Sequence, residues 1–245
     1  MIMGDVYNEQ WYADVVAPES LIYDDGVTSF RYELKDGKAS NIYGYAGIQG
    51  VPDIGKVRAA LGVPMFLRHS VDHHEGSKAW PTRVIPCASP WLAKSPHLAE
   101  ARRAERFGVV ATNHGSSLKA LTDFRDEYYK AMDRKDAADK YYNIAKRLEL
   151  WADNPQVMVV TAPGAGAIFL LGDPWSHYHL SYRTPQAHNT AMHAIFDLAV
   201  PLIAERGSKF IHLGGGTTAK TDDPLYKFKS RIGRMAWTVY FQEVP

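Results

Sequence analysis

The sequence predicts a mixed α/β protein, and three observations carry that expectation. Short segments of alternating or continuous apolar character are separated by turn signals. Longer stretches place apolar residues every three or four positions, the period of a helix with one buried face. Near the C-terminus a strand, an amphipathic helix and a second strand follow in the order of a β-α-β crossover, which lays two parallel strands side by side. Of 245 residues, 46% are hydrophobic and 22% charged, the balance of a chain that buries a core.

In chain order, "ESLIYDD", "VTSFRYEL" and, after the Asp36-Gly37 turn, "KASNIYGYAG" read as a meander of strands. "PDIGKVRAALG" has a Pro-Asp start and a Gly62 stop suited to a short helix. "VPMFLRH" returns as a strand, and "PHLAEARRAERFG" makes a helix before the apolar "VVAT". From 116 to 153 the pattern is helical, with Leu118, Leu121, Phe124, Tyr128 and Met132 on one stripe. Asp136 splits the stretch, and a second helix carries Tyr141, Ile144 and Leu148 on its buried side. This segment divides the chain into lobes 1–115 and 116–245. The second lobe continues with strands "QVMVVTA", "AIFLLGD" and "SHYHLSYR", a helix over 186–206, strand "SKFIHL", a glycine loop, a helical turn and strand "WTVYFQEV".

Charge and cysteine usage exclude several classes. Lys plus Arg number 28 against 27 Asp plus Glu, so any polyanion site must come from local clustering. Cys87 is the single cysteine, which rules out an internal disulfide and multi-cysteine metal sites and suits a reducing compartment. Nothing near "IPCASP" marks a nucleophile triad, so Cys87 reads as a buried filler. The acidic N-terminus does not read as a signal peptide and no apolar run approaches ~18 residues, so a cytoplasmic protein is expected.

The densest chemistry lies in "HLGGGTTAKTDDPLYKFKSRIG". Gly214, Gly215 and Gly216 make either a loose turn or a place where a ligand meets bare main chain, next to a helix whose free N–H groups suit an anion. Asp222 or Asp223 can cap that helix and Pro224 suits its first position. Lys227, Lys229 and Arg231 then form either a phosphate clamp or a solvated face. With no GxGxxG after a strand and no GxxxxGK[ST], dinucleotide-binding and P-loop folds are excluded.

Histidines offer a second set of candidates. His177 and His179 share one face of a strand, with Tyr178 on the other, and either ring has the ordinary pKa of a proton acceptor. His212 on the adjoining strand can face His179 across the pair. "HSVDHHEG" groups His69, Asp72, His73, His74 and Glu75 without a recognised ligand spacing, so no metal site is assigned. Tyr43 and Tyr45, flanking Gly44, are candidates for the wall of a substrate pocket. Arg134 is a candidate contact to RNA phosphates, as are Arg102, Arg103 and Arg106, which read better as a solvated helix face.

The segment "SHYHLSYRTPQAHNTAMHAIFDLAVPLIAERGSKFIHLGGGTTAKTDDPLYKFKSRIG" resembles the C-terminal lobe of Fem-type (FemAB-like) transferases of the GNAT acyltransferase superfamily. The matching pieces are "YHL" on a strand, an amphipathic helix ending in "ERG", "FIHLGGG" and "DPLYKFKSRIG"; "NIYGYAG" and "FRDEYYKAMDRKDAADKYY" also look like family segments. The resemblance implies a degenerate GNAT-like lobe over 1–115 and a complete one over 116–245, with the helix pair of 116–153 at their junction. It implies an amide-forming aminoacyltransferase that needs no cofactor, moving an amino acid from aminoacyl-tRNA to the amine of a small molecule or peptide, such as a cell-wall precursor or a peptide antibiotic. An acyl-CoA donor is the alternative. Ordinary GNAT members hold the CoA pyrophosphate in a glycine-bearing strand-to-helix junction, and here that junction, "SYRTPQAHNTA", has no glycine and places Pro185 where an N–H is needed. By resemblance Lys229 meets the phosphate or acceptor end of the transferred ester, Phe228 packs beside the reacting centre, and Lys227 and Arg231 supply supporting charge. Main-chain donors near Tyr178 to Ser181 face the reacting carbonyl. Gly214, Gly215 and His212 complete the expected lining.

Overall fold

The computed structural model describes residues 6–41, 53–69, 78–87 and 96–244. Local signals set most of its elements. Asp36 and Gly37 both take left-handed backbone, φ 53° and 71°, the geometry of a two-residue hairpin turn that joins β2 (Ser29–Lys35) to β3 (Lys38–Asn41). Helix α2 (Ile54–Leu61) begins where the Asp53 side chain accepts from Lys56 N–H and stops at left-handed Gly62, φ 64°. Helix α4 (Leu118–Asp133) starts at Ser117, whose side chain accepts from Ala120 N–H.

Among the described residues, eleven strands join one sheet in the order β1-β2-β3-β4-β11-β5-β10-β9-β8-β7-β6. Here β1 is Leu21–Asp24, β4 Met65–His69, β5 Lys78–Pro86 and β6 Thr112–Asn113. The remaining strands are β7 (Val157–Ala162), β8 (Ala165–Leu170), β9 (Trp175–Arg183), β10 (Phe210–Gly215) and β11 (Met235–Val244). The C-terminal strand β11 runs antiparallel between β4 and β5, and β5 runs antiparallel to β10.

The second half of the sheet is covered on both faces. Along β7, Val157 and Val159 point into one core with Tyr12 of α1 (Gln10–Val16), Leu121, Phe124 and Tyr128 of α4, and Leu148 and Trp151. Met158 and Val160 point into the other, with Ile195, Phe196, Ala199 and Ile203 of α6 (Ala191–Glu205) and Ile232 of α7 (Pro224–Ile232). Covering both faces makes these strands read as continuous apolar runs. Helix α3 (Pro96–Arg106) packs beside α6 on that second face.

Several expectations need correction. Strand β5, which sits between β11 and β10, is not among the strands expected from the sequence. Pro81 and Pro86, which lack the N–H a ladder uses, lie within it and mask its strand character. Helix α1 is likewise not among the expected elements. The stretch after Asp136, which takes φ 48°, is not one long helix: it is α5 (Asp139–Asn143) followed by a 3-10 turn, Leu148–Trp151. Bonds from Ala145 N–H to Tyr142 C=O and Leu150 N–H to Arg147 C=O wind it tightly, a period of three that still buries Ile144, Leu148 and Trp151. Helix α6 starts at Ala191, later than the expected 186, because turns occupy Thr184 to Thr190.

Candidate active site

The parallel strands β9 and β10 pair over only three positions, Phe210 with Trp175, Ile211 with Ser176 and His212 with His177. Beyond them β9 continues to Arg183 and β10 to Gly215 without further pairing to each other. Both strands carry an irregularity at the point of divergence. Against β8 the register slips between Ile168 and Phe169, leaving His179 as the extra residue of β9. Against β5 it slips between His212 and Gly214, leaving Leu213 extra, and Gly214 takes φ 73°. Such bulges bend a strand and increase its twist, so the two strands part and open a wedge between their C-terminal ends.

Helix α7 delivers a cation to that wedge. Its buried residues, Tyr226, Lys229 and Ile232, recur every three positions, so Lys229 lies on the same stripe as two core anchors. Lys229 Nζ donates to the Gly215 carbonyl at 2.8 Å and sits 5.8 Å from the centre of the Tyr178 ring. Burial lowers its pKa to about 7, with Asp223 opposing the shift. Burial raises the Tyr178 phenol to about 12, against the effect of its hydrogen bond with Ser181. Phe228 is half-buried against the α6 core, with its ring 5.9 Å from that of His193. Lys227 and Arg231 are exposed on the other side of α7, and Arg134 is exposed at the C-cap of α4. Of the expected site residues, Lys229, Tyr178 and Gly215 are thus brought together. Tyr43 and Tyr45 lie outside the described residues, as do Asp72, His73, His74 and Glu75.

Gly215 and Gly216 do not leave room for a ligand. A Cβ on Gly215 would lie 2.4 Å from Trp80 Nε1 and 2.7 Å from the Pro81 carbonyl, and one on Gly216 would lie 2.5 Å from the Asp223 carboxyl carbon. The space read as a ligand approach is filled at Gly215 by β5 and at Gly216 by Asp223. The anion expected at the start of α7 is likewise the protein's own. Asp223 accepts from the N–H groups of Thr217, Thr218, Leu225 and Tyr226 and from both threonine hydroxyls. These bonds hold its pKa down at about 2, against the opposing effect of burial. Asp223 therefore ties the glycine loop to α7 and fixes where Lys229 emerges.

The histidines are structural. Gly214 N–H donates to His212 Nδ1 at 3.1 Å, so the ring proton is on Nε2, which donates to Thr82 Oγ1 at 3.1 Å; Thr82 in turn donates to the Trp237 carbonyl. Burial first, then His177 and Lys229, keep His212 neutral. It pairs with His177, not His179. His179 lies among Tyr7, Tyr12 and Trp151, with ring centres 5.6 to 6.0 Å away, on the α1 and α4 face. Burial and His177 lower its pKa to about 3. His179 is accordingly a neutral core ring on the face opposite Tyr178, and not a proton acceptor beside Lys229. A pair that sequence reasoning missed is His97 of α3 and His193 of α6, whose Nδ1 atoms lie 2.9 Å apart in the core. Cys87 is partly buried, with its thiol raised to about 11 by burial, which suits a filler.

Four backbone donors of the β9 to α6 junction bond within the chain. Thr184 N–H donates to Gly164 C=O, Ala187 N–H to Thr184 C=O, Ala191 N–H to His188 C=O and Thr190 N–H to His188 Nδ1, while Pro185 has none.

The parted parallel strands β9 and β10, joined through α6, define a GNAT-like α/β fold. The chain superposes on FemX with a TM-score of 0.66 at 10% identity, covering 98% of this chain and 92% of that one. It matches L-PGS from Bacillus licheniformis with a TM-score of 0.61 at 13% identity, over 96% of this chain and 86% of the other. A third match is the C-terminal domain of a protein assigned as a lysylphosphatidylglycerol synthetase from Agrobacterium fabrum, with a TM-score of 0.60 at 12% identity over 96% and 91% of the two chains. No family model matches the sequence, and no curated protein is similar to it by sequence.

Proposed function

We propose that the protein is an aminoacyltransferase that moves an amino acid from aminoacyl-tRNA to an amine, forming an amide. One observation carries the reading: the wedge between β9 and β10 receives the buried Lys229 amine, while the junction that would hold a CoA pyrophosphate has no glycine, lacks an N–H at Pro185 and bonds its Thr184, Ala187, Thr190 and Ala191 N–H groups within the chain. In the reaction the acceptor amine adds to the ester carbonyl, the new C–N bond forms, and the ribose C–O bond breaks. The amine gives up one proton and the departing ribose oxygen gains one. Lys229, with a pKa of about 7, is matched to supplying that proton at neutral pH in its ammonium form. The main chain of β9 from Tyr178 to Ser181, paired with β8 but not with β10, turns its β10 side to the developing oxyanion as the source of donors.

The acceptor is a small molecule or peptide, with cell-wall precursors and peptide antibiotics as the first classes to try. The division into lobes 1–115 and 116–245 belongs to the same reading. Among the described residues no helix is long and apolar enough to cross a membrane.

The test incubates pure protein with labelled aminoacyl-tRNA pools and candidate amines. Label should reach the amine and should stop doing so after RNase treatment. Transfer that survives RNase, or transfer from acetyl-CoA accompanied by a raised Tm in its presence, rejects the tRNA donor in favour of the acyl-CoA alternative.

A further inference from the structure

The site at the wedge explains how an ester is held but not how an RNA is gripped. An open cavity of about 550 Å³ lies between α4 and α5 and is lined by Arg125, Asp126, Tyr129, Tyr142, Asn143 and Lys146. That volume lies within the ~300–1,000 Å³ of small-ligand sites. Its walls are flat and fixed. The Tyr129 and Tyr142 rings lie 5.5 Å apart at 45°. Tyr129 OH donates to the Tyr142 carbonyl at 3.2 Å and Tyr142 OH to Asp133 Oδ1 at 2.7 Å, so both hydroxyls anchor the rings. The Arg125 guanidinium is held by Glu149 at 3.0 Å and by Asp126 at 3.4 Å, which sets a third flat surface. Lys146 has no ion-pair partner among the described residues and is exposed.

We infer that this cavity binds a nucleotide of an unpaired RNA end, and the inference rests on the tRNA-dependent reading above. Pinned aromatic and guanidinium planes stack a base, since every base has a π-face. The Asn143 amide offers the paired donor and acceptor that a base edge requires. Lys146 is the uncommitted cation for a phosphate. Helix α4, which carries Arg125 and Tyr129 into the cavity, packs Phe124 onto Tyr182 of β9 at 5.2 Å, so the cavity is coupled through one helix to the parted strand.

Fluorescence anisotropy with a labelled single-stranded RNA ending in CCA tests this, with AMP as competitor and a duplex RNA of the same sequence as comparison. Single-stranded RNA should bind, AMP should displace it, and the duplex should bind more weakly. Tyr142→Leu and Lys146→Glu should each weaken binding about tenfold, the order expected for losing one stack or one phosphate contact. Lys146→Glu alters an exposed side chain, so it reports on binding even where Tyr142→Leu unfolds the chain. Lys229→Ala should abolish transfer. Wild-type binding by both cavity variants, or equal affinity for duplex, overturns the inference. If those variants also transfer from aminoacyl-tRNA with unchanged KM, only the cavity is rejected; absence of RNA-dependent transfer in the unaltered protein rejects the reading beneath it.

Discussion

Lys229 Nζ and the Gly215 carbonyl meet at 2.8 Å where α7 crosses the end of β10, and this bond holds a buried amine at the mouth of the wedge. A lysine 7% exposed, with its pKa near 7, costs stability at neutral pH.

Replacement of Lys229 by Met should therefore abolish transfer and stabilise the fold near pH 7. In the folded chain the amine titrates at about 7, against the ordinary 10.5 when unfolded. Between those values the unfolded state binds the extra proton, so wild-type stability rises with pH across that window. The advantage of Lys229→Met should shrink as pH rises from 7 toward 10.5, at a slope of up to about 1.4 kcal/mol per pH unit. Urea midpoints at pH 7 and 9.5 measure it, and a constant difference would show that the amine is not held neutral. In the wild type, kcat/KM should fall above pH 7 as the ammonium form is lost.

Asp223→Ala should loosen the glycine loop and α7 together. Loss of the helix cap alone costs about 1 kcal/mol, and the loop bonds add to it. The carboxyl is depressed from 3.8 to about 2, so its stabilisation is complete above 3.8 and is lost as pH falls toward 2. Thermal melts should show the variant less stable at pH 7, with the gap narrowing below pH 3.8; kcat should drop more than KM changes, because Lys229 is misplaced.

The His97 and His193 pair should make the protein acid-sensitive. Burial lowers both rings, His97 from 6.5 to about 3, with repulsion from His193 adding to it. Glu100 of α3 raises His193 and Arg231 of α7 lowers it, while the Phe228 ring packs beside it. Below 6.5 the unfolded chain takes up protons that the folded pair refuses, so stability is full above that pH and declines as pH falls toward 3. The His97→Leu/His193→Leu double variant should flatten the decline between pH 6.5 and 5 in denaturant titrations. An unchanged slope would assign the acid sensitivity elsewhere.

Gly215→Ala should be destabilising although its neighbours are aromatic and small groups. The added methyl meets Trp80 at 2.4 Å and the Pro81 carbonyl at 2.7 Å, and overpacking of this kind costs roughly 1–3 kcal/mol. The Tm should fall, and activity should fall with it because the Lys229 acceptor shifts. An unaltered Tm would mean that β5 yields at no cost.

Much of this architecture is legible along the chain. The Asp36-Gly37 turn, the Asp53 and Asp223 caps and the β9-α6-β10 crossover follow from local backbone preferences and short-range periodicity, which residues close in sequence decide together. Even the burial of Lys229 has a sequence signal, since Tyr226 and Ile232 stand three positions to either side on one helical stripe. What tertiary structure alone decided is how that stripe is used. The glycine volume is taken by Trp80 and Pro81, which come from a distant strand disguised by prolines. The wedge opens at bulges whose register is defined only against β8 and β5, and the face chosen by His179 depends on aromatic rings from α1 and the 3-10 turn. Pairing, burial and the titration they impose are set by contacts between residues far apart in the chain, and local pattern carries no record of which distant group will arrive.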